Sequence, residues 1–193
     1  MTTNSGSLRH QRGNGAEFLV SVAQIAKAPG SRRAVRFHGE LGDLEVSGSR
    51  VPEGDPVEVE VVLESVSEGI LVTGRVKTRS IGECRRCLGV ASGDLVIEIR
   101  ELCTENPTDE ESYPLGTDVL DLAPIVHDAC ILALPLAPLC SEECRGICPE
   151  CGANRNLEQC SCVPEGDPRW GALNLLYGSE TTGSHDEAPV RDE

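Results

Sequence analysis

Apolar and polar residues alternate in short segments through the middle of the chain. The alternation is strict at residues 57–61 and continues, after a turn, through residues 70–76. Residues 34–38 and 95–99 are further strand-like segments. In the turn at residues 52–56, proline restricts φ and glycine permits the chain to reverse. Short alternating segments separated by turns predict an antiparallel sheet or a small barrel.

One central helix is predicted after these strands. Asp121 can cap its N-terminus, Pro124 is tolerated in its first turn, and the apolar spacing continues to Pro135. That spacing produces one broad apolar face, which would cover the sheet. Cys130 on the helix and Cys103 at the end of a strand are predicted to pack in the core. The predicted fold class is therefore α+β, an antiparallel sheet or small barrel covered by one helix.

The chain is strongly acidic, with a formal net charge of −15 from 32 acidic and 17 basic residues. Broad, electrostatically driven binding to nucleic acid needs a basic face that releases counterions, so this balance argues against it. It favours basic partners instead. Aromatic residues make up only 3% of the chain, which argues against a platform on which single-stranded bases stack.

Six cysteines lie close together near the C-terminus, and the last four form a candidate metal site. Cys148 and Cys151 are a Cys-x2-Cys pair, and Cys160 and Cys162 follow shortly after. Tetrahedral zinc takes four thiolates, and Gly152 allows the tight turn of a zinc knuckle. Iron–sulfur ligation and redox or disulfide use are the alternatives to zinc. Because four thiolates close the site, we expect a structural metal and a zinc-knuckle C-terminal segment.

A second Cys-x2-Cys pair, Cys84 and Cys87, lies far upstream between two strand-like segments. One such pair cannot complete a zinc site, and Cys140 and Cys144 remain once the last four cysteines are assigned. Eight cysteines therefore make two four-thiolate sites, so a second zinc ion is predicted beside the first. The alternatives for the upstream pair are free thiols or a redox pair, although a thioredoxin-like pair would stand at a helix N-terminus.

Composition also divides the chain into segments. Residues 1–15 and 178–193 are polar, the latter acidic, and are predicted to be disordered tails. Residues 16–139 are predicted to form the α+β domain, and residues 140–177 a cysteine-rich zinc-binding segment that ends in a short helix at residues 167–176. The N-terminus lacks an apolar signal-peptide region, and no run of about 18 apolar residues occurs. A cytoplasmic protein with no membrane partner is predicted.

A binding module is favoured over an enzyme. The sequence has no glycine-rich phosphate loop, no nucleophile with an evident histidine partner and no histidine–carboxylate metal cluster. We therefore predict no catalytic residue and no small-molecule substrate. The acidic body can recognise a basic protein, or the arginines beside the cysteines can contact RNA; these are Arg85, Arg86, Arg145 and Arg155. The same arginines can also simply offset the charge of the metal clusters.

Several motifs resemble the YceD family, the large ribosomal RNA subunit accumulation proteins. The segment Cys84-Arg-Arg-Cys87-Leu88 is similar to the family's Cys-x-Arg-Cys-Leu pattern. The segment from Asp121 to Pro135 resembles its central helix, and residues 144–162 resemble the cysteine-rich tail of its Gram-positive, actinobacterial and plant members. Residues 167–169 with the following leucines are similar to its closing segment. The matches fall in order from about residue 18 to 177, and Ile147 replaces a commoner leucine.

This resemblance implies a cytoplasmic, non-enzymatic factor. It would support the synthesis, processing or stability of 23S ribosomal RNA and the assembly of the large ribosomal subunit. Its partner would be a basic ribosomal or assembly protein, 23S ribosomal RNA, or both. The alternative function is a zinc-ribbon regulator that binds nucleic acid or acts in transcription.

Overall fold

A computed structural model describes residues 15–107, 112–163 and Arg169. The two predicted disordered tails, except for Gly15, lie outside these residues. The predicted C-terminal helix at residues 167–176 lies outside them as well, apart from Arg169.

The described residues form mostly sheet, with one α-helix. A short 3-10 helix at Gly15–Phe18 comes first; the strands are β1 (Leu19–Ser21), β2 (Arg32–Gly39), β3 (Ser49–Arg50), β4 (Val57–Val66), β5 (Gly69–Glu83), β6 (Val90–Thr104), β7 (Ser112–Pro114) and β8 (Val119–Asp121), and α1 (Ala123–Ala133) follows. Strands β2, β4, β5, β6 and β7 lie side by side in that order, β3 also pairs with β5, and β1 pairs with β8 in a separate small sheet.

The predicted antiparallel sheet is confirmed, and the described residues do not close into a small barrel. Neighbouring strands of the large sheet pair antiparallel, except for the short parallel contact between β6 and β7. Within the described residues β2 and β7 remain the two edges, because no ladder joins them. Burial alternates along β4, where every second side chain enters the core, as the period-two pattern predicts.

The β5–β6 hairpin is longer than its neighbours and positions the upstream cysteine pair. Both strands have 15 residues, whereas β4 has 10. The ladder between β4 and β5 ends at the pair Glu58–Lys77, so the hairpin extends beyond β4. Its far end carries Cys84 and Cys87. Near this end Gly82 lies against Gly48 and Pro138, in a space that a side chain would not fit.

Helix α1 covers the sheet, as predicted, and its buried residues are Ile125, Val126 and Cys130. The predicted N-cap is wrong by one residue, because Leu122 is the N-cap and has no side-chain acceptor. Asp121 still satisfies one free N–H at this end by accepting a hydrogen bond from the Ala123 N–H at 2.9 Å.

Cys103 and Cys130 are core residues, which confirms the prediction. Both are fully buried in the main hydrophobic cluster. Burial raises the pKa of the Cys103 thiol to about 12 and that of the Cys130 thiol to about 11. Neutral thiols of this kind behave as small apolar side chains, so neither cysteine is available as a metal ligand.

After α1 the chain crosses to the end of the hairpin. Ser49 Oγ donates a hydrogen bond to the Pro135 carbonyl at 2.8 Å, and the Arg85 N–H donates to the Pro138 carbonyl at 3.0 Å. These bonds hold the segment that follows the helix beside the loop between β5 and β6. As a result, Cys140 and Cys144 arrive next to the upstream pair.

Candidate metal centres

The first cluster joins cysteines from two distant parts of the chain. It consists of Cys84, Cys87, Cys140 and Cys144, whose sulfurs all lie within 4.8 Å of one another. Cys84 Sγ lies 3.7 Å from Cys144 Sγ, and Cys87 Sγ lies 3.6 Å from Cys140 Sγ. Three of the four side chains are buried, and Cys140 is exposed. Together with Ala91, the three buried cysteines form a small hydrophobic cluster separate from the main core.

The second cluster is local in sequence. It consists of Cys148, Cys151, Cys160 and Cys162, again with all sulfurs within 4.8 Å of one another. A tight turn forms around Gly152, whose N–H donates to the Cys148 carbonyl at 2.9 Å. Gly152 has a φ of 74°, a left-handed conformation that glycine adopts without strain. The structure thus groups the eight predicted cysteines into the two predicted sets.

The sulfur separations fit a four-thiolate metal site. A tetrahedral zinc ion with Zn–S bonds of about 2.3 Å places its ligand sulfurs about 3.8 Å apart, close to the separations in the first cluster. A disulfide would bring two sulfurs to about 2.05 Å, and the eight cysteines are all free. Both clusters can therefore hold a metal ion that prefers four soft ligands.

Backbone amides favour the thiolate form of Cys84 in the first cluster and of Cys148 in the second. Burial opposes ionisation of Cys84, but N–H groups of Cys140, Arg86 and Cys87 donate hydrogen bonds to its sulfur and lower its pKa to about 6. In the second cluster, N–H groups of Cys151 and Glu150 lower the pKa of Cys148 to about 6. Apart from the Cys140 N–H, these amide donors come from the knuckle turns, because the first residues after each cysteine fold back over its sulfur.

Other thiols in the clusters resist ionisation because they share hydrogen bonds with neighbouring cysteine sulfurs. Hydrogen bonding to Cys144 and Cys87, with some burial, raises the pKa of Cys140 to about 12. Hydrogen bonding to Cys151 likewise raises the pKa of Cys162 to about 12. Four thiolates at this spacing repel one another, so the fully ionised set requires a bound cation.

Two side chains that sequence reasoning did not assign to the sites hold the clusters in place. Arg86 lies between the cysteines of the upstream pair, and its Nη1 donates to the carbonyls of Glu142 and Cys144 at 3.0 and 3.1 Å. Its side chain therefore ties the hairpin loop to the segment after the helix. The interpretation of Arg86 as an RNA contact or a charge offset missed this role, since no spacing rule relates residue 86 to residues 142 and 144.

Asn156 connects the two clusters. It lies in the loop of the second cluster, yet its Nδ2 donates to Cys144 Sγ of the first cluster at 3.3 Å. Its Oδ1 accepts a hydrogen bond from the Arg145 N–H at 2.7 Å. The Ile147 N–H also donates to the Arg86 carbonyl at 3.0 Å, so the two knuckles pack against each other. Nothing in the sequence separates Asn156 from an ordinary loop residue.

Residues 72–177 match the sequence model of a family described as "Large ribosomal RNA subunit accumulation protein YceD". The chain belongs to the YceD family. The matched segment covers more than half of the chain and contains both cysteine clusters. The resemblance seen in the sequence motifs is thereby confirmed.

Curated relatives extend the likeness beyond this segment. An uncharacterized protein of Mycobacterium tuberculosis is 32% identical over 185 residues, which cover 89% of this chain and 86% of the relative. An uncharacterized protein of Mycobacterium leprae is 33% identical over 147 residues, 69% of this chain and 68% of the relative. The Arabidopsis thaliana protein named large ribosomal RNA subunit accumulation protein YCED homolog 1, chloroplastic, is 24% identical over 160 residues, 65% of this chain and 50% of the relative.

No solved structure matches the chain. Among the described residues, no helix is both long enough and apolar enough to cross a membrane.

Proposed function

We propose that each cysteine cluster of this YceD-family chain holds one zinc ion with a structural role. The support is the sulfur spacing of 3.6 and 3.7 Å in the first cluster and the all-thiolate ligand set of both. Four thiolates complete a tetrahedral shell and leave no position for a substrate or a reactive water, whereas catalytic zinc keeps such a position open. Zinc then fixes the crossing of the hairpin loop and the segment after α1.

Arg86 offers a test of how the first cluster is held. Arg86→Ala removes both hydrogen bonds to the 142–144 segment, so this segment samples more positions and delivers its cysteines less often. We expect zinc affinity at the first cluster to fall by about tenfold, the lower end of the range for lost outer-shell contacts. Competition with a chromophoric chelator measures this affinity.

Arg85→Ala is the matched control for Arg86→Ala. Arg85 is the exposed neighbour, and its side chain forms no hydrogen bond or ion pair within the part of the chain that the structure describes. This variant should retain the affinity of the unmodified chain. Equal zinc affinity for both variants would show that the Arg86 bonds do not support the cluster.

We further propose that the protein is a non-enzymatic factor for accumulation of the large-subunit ribosomal RNA. The observation that carries this proposal is the family match over residues 72–177. The plant relative's name refers to the same process, which adds support. Because the zinc shells are closed, the chain would act by binding, in the cytoplasm, during synthesis, processing or assembly of the large subunit.

A basic ribosomal or assembly protein is the partner that the charge favours. The net charge of −15 would attract a basic protein and repel an RNA backbone. The case for RNA rested on four arginines, and the side chain of Arg86 is already engaged with backbone carbonyls. The exposed residues Arg85, Arg145 and Arg155 remain for the RNA alternative.

Deletion of the gene tests the function. We expect mature large-subunit RNA and free large subunits to decrease, while the small subunit changes little, because the factor would act on one subunit only. Sucrose-gradient profiles and quantification of 23S and 16S ribosomal RNA measure this, with a strain complemented by the intact gene as control. Balanced subunits in the deletion strain would remove the case for a role in the large subunit.

A pull-down with and without ribonuclease separates the two kinds of partner. A complex with a basic protein should survive digestion, and moderate salt should weaken it gradually. A complex that disappears on digestion and loses affinity steeply with salt would instead identify RNA as the partner. Reversal of the charge at Arg85 and Arg145 should then abolish binding, provided that the zinc content is unchanged.

A further inference from the structure

Strand β6 has an open edge over most of its length. It pairs with β5 from Val90 to Cys103, but on its other side β7 contacts only residues 102–104. Within the described ranges, no other strand or backbone hydrogen bond reaches residues 90–101 from that side. A sheet edge of this length is a template for pairing with a further extended segment.

The even-numbered residues of β6 direct their backbone groups toward this open edge. The Thr104 carbonyl accepts a hydrogen bond from the Leu115 N–H at 2.8 Å, on the side away from β5. The Gly93 carbonyl instead accepts a hydrogen bond from Ser80 Oγ of β5 at 3.3 Å. The two directions alternate from one residue to the next along a strand. The N–H and C=O groups of Asp94, Val96 and Glu98 therefore point toward the open edge, as the Thr104 carbonyl does.

Charges on the exposed face of the sheet alternate in sign along particular rows, whereas another row ends in Arg100 of β6. One row across the sheet reads Arg36, Glu60, Arg75 and Glu98, on β2, β4, β5 and β6 respectively. Ion pairs join the first three, because Glu60 lies 3.3 Å from Arg36 and 3.2 Å from Arg75. This row therefore ends in an acidic residue at the open edge.

A second row ends in the same way. Arg79 of β5 is paired with Asp55 at 2.9 Å, and its cross-strand neighbour on β6 is Asp94. Within the described residues neither Asp94 nor Glu98 forms an ion pair. The neighbouring arginines, Arg79 and Arg75, instead form ion pairs with Asp55 and Glu60 on their other side. Val96, between the two acidic residues, is 63% exposed. The opposite face of the edge presents Leu95 and Ile97, which are only partly buried against the core.

We propose that the β6 edge binds an extended basic segment of a partner protein by strand addition. The segment would form backbone hydrogen bonds with Asp94, Val96 and Glu98. It would place lysine or arginine opposite the two acidic residues, four positions apart, and apolar side chains over Leu95 and Ile97. This binding mode continues the alternation of charge by one strand. Domains that bind a segment by strand addition recognise it through main-chain hydrogen bonds and through every second side chain.

Self-association about Val96 is disfavoured at this edge, whereas a register shifted by two residues would place Asp94 opposite Arg100. Antiparallel pairing of two copies about Val96 would place Asp94 of one copy opposite Glu98 of the other, and like charges directly opposite each other are destabilising. Acidic residues can also serve only to protect an edge from aggregation. Binding of a basic segment is what distinguishes the proposed role from protection alone.

The inference rests on the proposed recognition of a basic protein, and a synthetic peptide tests it on the full zinc-loaded chain. The peptide has about nine residues, enough to span the edge, with Lys-Val-Thr-Val-Lys at its centre. We expect it to protect the outward amides of Asp94, Val96 and Glu98 from hydrogen exchange, as measured by NMR. The same peptide with glutamate in place of lysine, or with N-methylated backbone amides, should neither bind nor protect.

Matched variants of the chain separate strand addition from simple charge attraction. Val96→Pro removes one outward N–H without removing a bond to β5, a change that edge strands tolerate, and it should abolish protection. Val96→Thr keeps the N–H and should bind the peptide normally. Asp94→Lys with Glu98→Lys should weaken binding by roughly tenfold or more, whereas Glu40→Lys, directly after β2 at the opposite edge of the sheet, should change it little.

Three results would overturn strand addition: peptide binding without protection of these amides, equal binding to Val96→Pro, or amides already protected in the free chain. In the last case deletion of residues 1–14 or of residues 178–193, together with a dilution series, would show whether the chain itself or a second copy covers the edge. If the peptide binds elsewhere on the acidic surface, the proposed recognition of a basic protein is still supported, and only the β6 edge is excluded as its binding site. If the peptide adds to β6 while the deletion strain has balanced subunits, strand addition at β6 is supported and the proposed ribosomal role is contradicted.

Discussion

Cys87→Ser is expected to lower the Tm of the protein by roughly 10 °C, from a loss of about 3 to 4 kcal/mol in the free energy of unfolding. Cys87 and Cys140 lie 53 residues apart in sequence, and their sulfurs are 3.6 Å apart. A metal link across so long a segment removes much conformational entropy from the unfolded chain. Its loss also frees the hairpin loop from the segment after α1, and both are part of the folded domain.

Cys160→Ser is expected to lower the Tm by only a few degrees. The second cluster closes a short local segment, so it restricts the unfolded chain less. Its cysteines belong to neither hydrophobic cluster, and Cys151 and Cys162 are exposed. Loss of this site should therefore unfold the knuckle locally.

Calorimetric scans of the purified variants measure this difference, and Cys140→Ser is the matched control. It removes a ligand of the same first cluster from the other end of the closed segment, so it should reproduce the effect of Cys87→Ser. A larger loss of Tm for Cys160→Ser than for Cys87→Ser would contradict the argument from loop closure.

Elemental analysis of protein purified without chelator is expected to find nearly two equivalents of zinc per chain, one for each four-cysteine cluster. Cys87→Ser and Cys160→Ser should each reduce the content to about one equivalent, because the clusters share no ligand. A strong chelator should remove both ions and lower the Tm at least as far as Cys87→Ser does, since metal binding contributes to folding.

Readdition of zinc to the chelated protein should restore the Tm, which controls for irreversible damage by the chelator. One equivalent in the unmodified chain would exclude zinc from one cluster, and the variant that loses it would identify the occupied one. Stoichiometric iron, or no metal together with oxidised cysteines, would contradict the zinc assignment altogether.

The strands and the helix could be predicted because their signals are local. Burial in β4 alternates with the period that its sequence shows, and the apolar spacing of α1 continues until Pro135 follows the helix. The knuckle turns were equally local, since Cys-x2-Cys spacing and Gly152 place two sulfurs and their amide donors in one turn. Signals of this kind need no knowledge of distant contacts.

The composition of the first cluster depended on elimination. Counting cysteines paired the upstream pair with Cys140 and Cys144, and the structure groups the same four sulfurs. Tertiary contacts bring these sulfurs together. The β5–β6 hairpin extends beyond β4. Near its end the Pro135 and Pro138 carbonyls accept hydrogen bonds from Ser49 Oγ and the Arg85 N–H. The metal that the cluster holds stays a prediction.

By itself, therefore, the sequence determined the antiparallel sheet, the covering helix, the cysteine knuckles and the membership of the YceD family, because each depends on neighbouring residues or on a motif. Only the tertiary structure decided that the sheet formed by the described residues stays open, that Arg86 and Asn156 hold the two clusters together, and that Asp94 and Glu98 end two rows of alternating charge. These features depend on the register between strands and on contacts between distant segments. One strand's pattern is compatible with many registers, and the pairing of the whole sheet selects among them.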